Sequence, residues 1–309
     1  MMWFRPSCRI AFVSTLLTGC YTAELDSGWS AVFVCEEDLD CALGQACVGG
    51  VCLSEEDAVG PTLEVLDPPL LDVFQQGETA LPLSFRGRDL MLTAQSSDDP
   101  KEGYVEVYLD GALVDTVTNG DLRNGIDLST LTLPKVAGLH HVVLLARRHN
   151  GEYFENEGAQ AHVAFWVDDG REHVGILHPP PASRIPSDAR EIGLEVASLN
   201  FTFVNPGFLP PDAGVSPGQG YVHLYLDANV PSCLPSCNFD YQNSILPAGL
   251  SRVNRIAVEQ NLLLPAGVST IRLQIVAQTT AHTPYYRDEA LQEVVYDEIP
   301  VQSVLGVKR

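Results

Sequence analysis

One eight-residue strand pattern occurs twice in the chain and constrains the fold more than any other feature. The copies read Gly-Tyr-Val-Glu-Val-Tyr-Leu-Asp at 103–110 and Gly-Tyr-Val-His-Leu-Tyr-Leu-Asp at 220–227. Aliphatic residues alternate in both with tyrosine, glutamate or histidine. Because successive side chains of a strand face opposite sides of a sheet, each copy predicts a half-buried strand with an apolar inner face. The Asp110-Gly111 pair that ends the first copy favours a tight turn.

Matches on either side of this pattern indicate that a whole domain is duplicated. Leu-Asp-Pro-Pro at 66–69 corresponds to Leu-His-Pro-Pro at 177–180, an offset of 111 residues (from 66 to 177). The central pattern has an offset of 117 (from 104 to 221), and a Leu-Pro pair has an offset of 131 (from 133 to 264). An offset that grows only through insertions is the mark of an internal repeat.

Each repeat contains seven or eight short apolar segments separated by turn residues, which is the pattern of an immunoglobulin-like or fibronectin-like sandwich. The sequence therefore predicts an all-β chain with two tandem Ig-like antiparallel β-sandwiches, at 62–169 and 172–301, followed by a tail at 302–309. The strands expected in the first repeat are 62–66, 81–85, 90–94, 104–109, 113–118, 130–133, 140–147 and 161–167. Those expected in the second are 174–177, 192–196, 199–204, 221–226, 255–264, 270–278 and 291–296.

The charge balance narrows the classes of partner. The 309 residues carry 40 acidic and 18 basic side chains, a formal net charge of −22. Nucleic acids and anionic lipid surfaces both require basic patches, so neither is an expected partner. A solvated acidic surface is the simplest interpretation, and cation binding is the alternative. The sequence contains no apolar run long enough to predict a transmembrane helix.

Residues 1–19 are predicted to be an export signal, with Arg5 and Arg9 before a short apolar core. Leu-Thr-Gly-Cys at 17–20 follows and resembles the lipobox of bacterial lipoproteins. The resemblance implies that Cys20 is acylated and anchors the chain to a membrane, since two or more acyl chains give stable anchoring. Tyr21 after the cysteine implies the outer membrane of the cell envelope, and 20–34 would be a lipidated tether. The alternative is an ordinary cleaved signal with an incidental cysteine.

A small cysteine-rich module is expected at 35–53, followed by a linker at 54–61. In an exported chain its four closely spaced cysteines predict disulfides. Three pairings are possible, and we favour first to third with second to fourth. Zinc is the rival, but no Cys-x-x-Cys pair is present, and the acidic residues have no EF-hand spacing for calcium. The module resembles short segments of myxobacterial-type lipoproteins, which implies a compartment and no activity. Its cysteines are Cys35, Cys41, Cys47 and Cys52.

The repeats are similar to Ig-like domains of bacterial exported proteins, in which a Gly-x-His-x-His-x-x-x-Asp-Gly strand pairs with a Leu-x-x-Gly-x-His strand. Gly103, Asp110 and Gly111 match the first element, and Gly138 and His140 match the second. The first-strand histidines of that pattern are replaced by Tyr and Glu in repeat one, and by Tyr and His in repeat two. A metal role built on them is therefore not expected, and we predict no metal and no cofactor.

Two long loops in the second repeat are the expected binding regions, because loops on a rigid sandwich often carry function. Cys233 and Cys237 lie in an insertion and are predicted to form a local disulfide, with a redox-active pair as the alternative. The other loop precedes the central strand. Candidate contact residues are Phe208, Leu209, Phe239 and Tyr241, although the same side chains can equally cover the end of the sandwich.

No catalytic motif accompanies these features. The eight histidines show no metal-ligand spacing, and the nucleophile elbow, phosphate loop and dinucleotide fingerprint are all missing from the sequence. His140 and His141 lie on one predicted strand, so their rings should face opposite sides of the sheet. The sequence therefore favours a non-enzymatic, membrane-anchored envelope lipoprotein that presents its sandwiches to an envelope protein or a surface glycan. The alternative is an envelope enzyme, or an accessory carbohydrate- or metal-binding subunit of one.

Overall fold

A computed structural model describes 45–48, 51–54, 60–96, 99, 101–129, 131–154, 156–181, 184–186, 192–209, 216–226, 243–247, 253–260, 270–279, 281, 283–288, 290–291 and 293–304. These residues form β-strands, turns and two single 3₁₀ turns, and no α-helix occurs among them. Accordingly, the described part of the chain contains no helix with the length and apolar character to cross a membrane. The predicted signal peptide, Cys20 and the tether lie outside the described residues, as do Cys35 and Cys41.

Part of the cysteine-rich module is described as a short antiparallel ladder. Its strands are β1 (Gln45–Val48) and β2 (Val51–Ser54). Cys47 and Cys52 are register partners across this ladder. The expected disulfide pairing stays a prediction.

The first sandwich has two facing layers. The smaller layer has the strand order β10-β6-β3, and the larger has the order β4-β13-β12-β8, with β9 and β7 both paired to β8. Strands β5 and β11 form a separate two-stranded ladder. The strands are β3 (Thr62–Asp67), β4 (Asp72–Gln75), β5 (Ala80–Leu81), β6 (Ser84–Arg88), β7 (Met91–Leu92), β8 (Glu102–Leu109), β9 (Ala112–Val117), β10 (Ile126–Asp127), β11 (Leu131–Thr132), β12 (Gly138–Arg147) and β13 (Gln160–Asp168).

The second sandwich repeats this plan. Its smaller layer has the order β14-β16-β20, its larger layer has the order β15-β24-β21-β18 with β19 and β17 paired to β18, and β22 pairs with β23. The strands are β14 (His173–His178), β15 (Arg184–Pro186), β16 (Ile192–Leu199), β17 (Thr202–Phe203), β18 (Gln219–Leu226), β19 (Asn243–Ile245), β20 (Arg255–Gln260), β21 (Thr270–Gln278), β22 (Tyr286–Asp288), β23 (Glu293–Val294) and β24 (Tyr296–Val304).

The duplication extends to backbone register. Leu63 pairs with Gly87 in β3–β6, and the residues 111 positions later, Val174 and Ser198, pair in β14–β16. Both ladders carry an irregularity at the same place, after Val65 and after Ile176. Both repeats also have a cis proline at the matching position, Pro68 and Pro179. The two sandwiches are therefore the same structure built twice.

Each sandwich has its own apolar core between its layers. In the first, fully buried side chains from both layers meet there, including Leu83, Phe85, Val105, Val107, Val142, Leu144 and Phe165. In the second, the corresponding buried side chains include Ile176, Val196, Phe201, Phe203, Val222, Leu224, Leu273 and Ile275. The all-β sandwich class predicted from the sequence is confirmed, and the apolar face of the central strand points inward as expected.

Some predicted strands differ from the structure. The last strand was expected at 291–296, but the long closing strand of the second larger layer is β24, which runs from Tyr296 to Val304. The predicted segment contains the short strand β23, with Val294 and Val295 buried, but Leu291 at its start is 75% exposed in a turn. Strand β4 was not predicted because it is short and only Phe74 of its four residues is buried.

The two sandwiches pack directly on each other. The outer face of β12 and β13 meets the outer face of β14 and β16, where Ala164, Trp166, Leu177 and Ala197 form a separate buried apolar cluster. Leu71, Leu139 and Leu199 pack around it. Gly175 is needed at this surface, since a Cβ there would collide with the side chain of Leu139. We call this surface, lined by β12, β13, β14 and β16, the junction.

The connecting segment is also fixed by hydrogen bonds. Asn200 Nδ2 donates to the Asp168 carboxylate and to the Arg171 carbonyl oxygen, each at 3.0 Å. The Arg171 guanidinium pairs with Glu293 at 2.6 Å. Because these partners lie in the second sandwich, the connection is held against that sandwich.

The same close backbone contact requires the glycine at the start of each repeated strand pattern. At Gly103 an added Cβ would collide with the backbone carbonyl oxygen of Arg147, and at Gly220 with that of Gln278. Arg147 and Gln278 are themselves equivalent, since they are 131 residues apart on β12 and β21. The close approach of the central strand to its neighbour is therefore a property of the repeat.

Replacing either glycine should consequently destabilise the fold. We expect Gly103→Ala and Gly220→Ala each to lower the free energy of unfolding by about 1–3 kcal/mol, because neighbouring backbone must shift to admit the methyl group. Gly193→Ala on β16 is the control, since an added Cβ there meets none of the described atoms within 4 Å. Chemical denaturation measures the difference, and equal stability of Gly220→Ala and Gly193→Ala would contradict the assignment.

Candidate functional site

The predicted binding loops are only partly described. Phe208 ends the 3₁₀ turn Pro206–Phe208 and is 52% exposed, whereas Leu209 beside it is half-buried. Asn205 fixes this turn, because its side chain accepts a hydrogen bond from Gly207 and donates one to the Pro247 carbonyl oxygen at 3.0 Å. Phe239, Tyr241, Cys233 and Cys237 lie outside the described residues, so their roles remain predictions.

A second candidate is the outer face of the larger layer of the first sandwich, on β8 and β12. Tyr104, Glu106 and Tyr108 alternate with the core residues of β8 and therefore point outward. Tyr104 and Tyr108 are partly exposed, while Glu106 between them is only 5% exposed. The Tyr108 hydroxyl donates to Glu106 Oε2 at 2.8 Å. Burial and this hydrogen bond raise the pKa of Tyr108.

Arg147 at the end of β12 completes the arrangement. Its Nη1 donates to Glu106 Oε1 at 2.7 Å, and its Nη2 donates to the Gly151 carbonyl oxygen at 2.5 Å. Its guanidinium carbon lies 4.3 Å from the centre of the Tyr153 ring, which is a cation–π contact. Burial lowers the pKa of Arg147, but the hydrogen bond and charge of Glu106 outweigh burial, so the pKa is raised.

The set formed by Tyr104, Glu106, Tyr108, Arg147 and Tyr153 is named the tyrosine face. Hydrogen bonds and the cation–π contact hold Glu106, Tyr108, Arg147 and Tyr153 in place. The Tyr104 ring packs on His149, with ring centroids 5.7 Å apart. A ligand would therefore meet side chains that are already in contact with their neighbours. Preorganised aromatic side chains bind with little loss of conformational entropy. The tyrosine face can therefore bind a partner by stacking and hydrogen bonding, without covalent chemistry.

The equivalent face of the second sandwich is closed. Tyr221, His223 and Tyr225 occupy the matching positions of β18, and each is at most 1% exposed. Gln278, which corresponds to Arg147, is also fully buried. The prediction that both copies form half-buried strands is therefore wrong for β18, which is buried on both faces. The outward row of tyrosines is therefore partly exposed on β8 of the first sandwich and buried on β18 of the second.

Three arginines surround a shallow depression of about 290 Å³ elsewhere on the first sandwich. Arg86, Arg88 and Arg123 line it together with Gly87 and Asp89. All three guanidinium groups are exposed, and Arg86 is paired with Glu64 at 2.5 Å. Exposed pairs of this kind contribute little energy, and the depression does not define a ligand.

Two histidine–aspartate pairs have the composition of catalytic dyads, but their ring nitrogens are already occupied by hydrogen-bond partners. His140 Nδ1 lies 2.7 Å from Asp110 Oδ2, and its Nε2 lies 2.8 Å from the Val136 carbonyl oxygen. Both partners only accept hydrogen bonds, so both ring nitrogens donate and the ring is an imidazolium. In His173, Nε2 donates to Asp169 Oδ1 at 2.9 Å and Nδ1 accepts from Arg287 Nη2 at 3.3 Å, so its lone pair is occupied as well. A general base needs a free nitrogen lone pair, and His140 does not have one.

Asp110 also has a structural role at the end of the repeated strand pattern, where it forms the turn after β8. It adopts a φ of 50° and Gly111 a φ of 80°, as the predicted tight turn requires. Its second carboxylate oxygen accepts a hydrogen bond from the His141 backbone N–H at 2.9 Å. The aspartate thus joins the turn after β8 to the start of β12. Among the residues that the structure describes, no group of three or more histidine, cysteine, aspartate or glutamate side chains is placed to hold a metal ion.

Sequence reasoning placed Tyr104, Glu106 and Tyr108 on the outward face but did not select them as a site. Arg147 and Tyr153 were missed because they come from a different strand and the hairpin after it. The available signal was the alternation itself, in which a charged residue stands between two tyrosines on a face expected to be solvated. Which of the two copies would stay open was not visible in the sequence, because both carry the same tyrosines.

Comparisons with known proteins identify no family. No protein-family model matches the chain, and no curated protein matches it. Solved structures that align with it include the fibronectin(III)-like modules of Clostridium thermocellum CbhA, at 10% identity and a TM-score of 0.25, covering 80% of this chain and 97% of that one. The central fibronectin-III array of RIM-binding protein aligns at 10% identity and a TM-score of 0.22, covering 82% and 72%. At these scores the alignments add nothing to the fold, which rests on the strand pairing.

Removing the ion pair between Glu106 and Arg147 in the tyrosine face should destabilise the protein. We expect Arg147→Met to lower the free energy of unfolding by about 2–4 kcal/mol, because it leaves the Glu106 carboxylate buried without its cation. The matched control is Arg86→Met, whose pair with Glu64 is exposed and should contribute about 0–1 kcal/mol. A double-mutant cycle with Glu106→Gln isolates the pairwise energy. Equal losses for Arg147→Met and Arg86→Met would show that the buried pair is not what orders this face.

Proposed function

We propose that the chain is a lipid-anchored protein of the bacterial cell envelope with a binding role and no catalytic activity. In this proposal Cys20 carries the lipid and holds the protein at the outer membrane. The tandem sandwiches are the binding domains, and the tyrosine face of the first sandwich is the surface that contacts the partner. The observation that carries the proposal is the contrast between the two copies: one repeat buries its tyrosine row completely, and the other keeps it partly exposed and ordered.

The chemistry of the tyrosine face suits a partner with both apolar and polar groups. Tyrosine and arginine are enriched at the energetic centres of protein interfaces, and aromatic rings with nearby hydrogen-bonding groups also suit the C–H faces and hydroxyls of sugars. An envelope protein and a surface glycan therefore share these requirements. A non-catalytic role is supported by the engagement of His140 and His173, whose ring nitrogens are held by structural partners.

The anchor and the binding surface have separate tests. Cys20→Ala should move the protein from the detergent phase to the aqueous phase of a Triton X-114 partition of cell envelopes, because the variant cannot be acylated. Retention in the detergent phase would contradict anchoring through Cys20. The unsubstituted protein is the reference in the same experiment.

The binding surface is tested by crosslinking on intact cells, pull-down and mass spectrometry, with a parallel assay against isolated envelope polysaccharide. Tyr104→Ala should reduce recovery of the partner by about tenfold or more, as loss of a central aromatic contact does. Tyr296→Ala is the control, since Tyr296 is a 41% exposed tyrosine on the second sandwich and should leave recovery unchanged. Loss with both variants, or with neither, would contradict the assignment of the tyrosine face. The protein and polysaccharide assays identify which class of partner is bound.

A further inference from the structure

The junction contains a group of histidines that the binding proposal does not use. His141 on β12 and His162 on β13 point outward from the first sandwich, toward the second. Their rings are stacked with centroids 5.2 Å apart and an interplanar angle of 18°. His141 Nδ1 lies 2.9 Å from His162 Nε2. His141 is 2% exposed, so its ring is removed from solvent by the packing of the two sandwiches.

This contact restricts the charge of both rings. A hydrogen bond between two imidazole nitrogens needs one donor and one acceptor, and a doubly protonated imidazole has donors only. At least one of the two rings must therefore be neutral for the observed geometry to exist. If both rings were protonated, two N–H groups would face each other at 2.9 Å and the rings would have to separate.

The second sandwich adds another histidine to the same region. His178 ends β14, and its charge would be felt by both His141 and His162. Burial, followed by the repulsion of neighbouring histidines, lowers the pKa of His141 well below its ordinary value and that of His162 to about 3. Burial also lowers the pKa of His178, against the opposing charge of Glu195 on β16. Glu195 is itself paired with Arg255 on β20.

Other titratable groups near the junction have a different response. His140 faces the interior of the first sandwich; burial lowers its pKa, but the hydrogen bond and charge of Asp110 outweigh burial, so its pKa is raised, opposite to the junction histidines. Asp297 on β24 accepts a hydrogen bond from the Ile176 backbone N–H at 2.8 Å, and burial raises its pKa to about 6. Protonation of Asp297 therefore favours the packed state on acidification and opposes the three junction histidines. His173 is held by Asp169 and Arg287 at the other side of the cluster.

We infer that the junction is a proton-sensitive coupling between the two sandwiches: it holds them together while His141, His162 and His178 are neutral, and it opens when they take up protons, before either sandwich unfolds. Each sandwich keeps a complete core of its own, whereas the junction has a small apolar cluster around Trp166 and Leu177. The junction is therefore the weaker part of the structure. Its opening changes the spacing of the tyrosine face from the second sandwich without changing either fold.

The direction of the effect follows from the lowered pKa values. A group whose pKa is lowered in the packed state stabilises that state fully above its ordinary pKa of about 6.5, and the stabilisation is lost as pH falls below that value. For His162 the loss continues down to a pH of about 3. Each histidine that gains a proton only on opening multiplies the opening equilibrium by up to about tenfold per pH unit. On acidification, the combined effect of three such histidines on the opening equilibrium is larger than the opposite effect of Asp297.

Trp166 provides a direct readout, because it is 2% exposed in the junction cluster. In the full chain carrying Trp3→Phe and Trp29→Phe it is the sole tryptophan. Its acrylamide quenching should increase severalfold between pH 7 and pH 4.5, while the far-UV circular dichroism of the β-sheets stays constant. The quenching constant is used rather than the emission intensity because the His173 ring lies 6.4 Å from the Trp166 ring and can itself affect the intensity.

Histidine substitutions identify the groups responsible. His162→Gln and, separately, His178→Gln should move the quenching midpoint to lower pH, since each removes one proton taken up on opening. His149→Gln is the control, because His149 packs on Tyr104 at the tyrosine face, and it should leave the midpoint unchanged. Gly175→Ala should expose Trp166 already at pH 7, since its methyl group collides with Leu139.

Three results would overturn the inference. The first is equal protection of Trp166 at pH 7 and pH 4.5, and the second is exposure of Trp166 only as the β-sheet signal is lost. The third is one quenching midpoint shared by His162→Gln, His178→Gln and His149→Gln. The test is independent of the binding proposal, because it measures the packing of the two sandwiches and involves no partner.

Discussion

The packing of one sandwich directly on the other is the contact on which the organisation of this protein depends. The outer face of β12 and β13 would be a solvated surface in an isolated sandwich. Here it carries Ala164 and Trp166, which are buried against Leu177 and Ala197 of the second repeat. Burial of an aromatic and several aliphatic side chains favours a fixed arrangement over free motion about a linker. The hydrogen bonds of Asn200 to the connecting segment add to the same effect.

The rest of the structure is one sandwich built twice, with equivalent outer faces that differ in exposure. The scaffold is preserved to the level of register, bulge and proline isomer, and the glycine of each central strand meets an equivalent carbonyl oxygen. The outer faces have diverged. Tyr104 and Tyr108 remain partly exposed around a buried ion pair, while Tyr221 and Tyr225 have become interior residues. A single repeated pattern thus forms a partly exposed surface in one copy and part of the packed interior in the other.

Much of the fold could be predicted from the sequence, because strand alternation and offset are local properties. The central strands, the opposite orientations of His140 and His141, and the tight turn at Asp110 are all confirmed. Strand β24 was misplaced because Pro300 interrupts its pattern, while the apolar Val294 and Val295 just before it are buried at the short strand β23. The segment containing Ala164 and Trp166 was recognised as a strand, but its second apolar face was not interpreted. A strand that is apolar on both faces indicates burial on both sides, and here the second side is the junction.

The site was less accessible to prediction than the fold. Glu106 and Arg147 are diagonal neighbours on adjacent strands, and their pairing depends on a register that the sequence does not specify. The proximity of His178 to His141 and His162 depends on how the two sandwiches are placed. These are long-range consequences of packing, and equivalent residues in the two repeats have different environments for that reason. Cys20 and the cysteine-rich module, by contrast, were interpreted from sequence signals alone.

The most direct test of the central claim is ¹⁵N relaxation of the backbone amides of both sandwiches at pH 7. If the junction couples them, amides of β8 and β12 and amides of β18 and β21 will report one rotational correlation time and one diffusion tensor. Two distinct correlation times, each close to that expected for a single sandwich, would contradict the claim. In that case the burial of Trp166 and Leu177 against each other would not persist in solution.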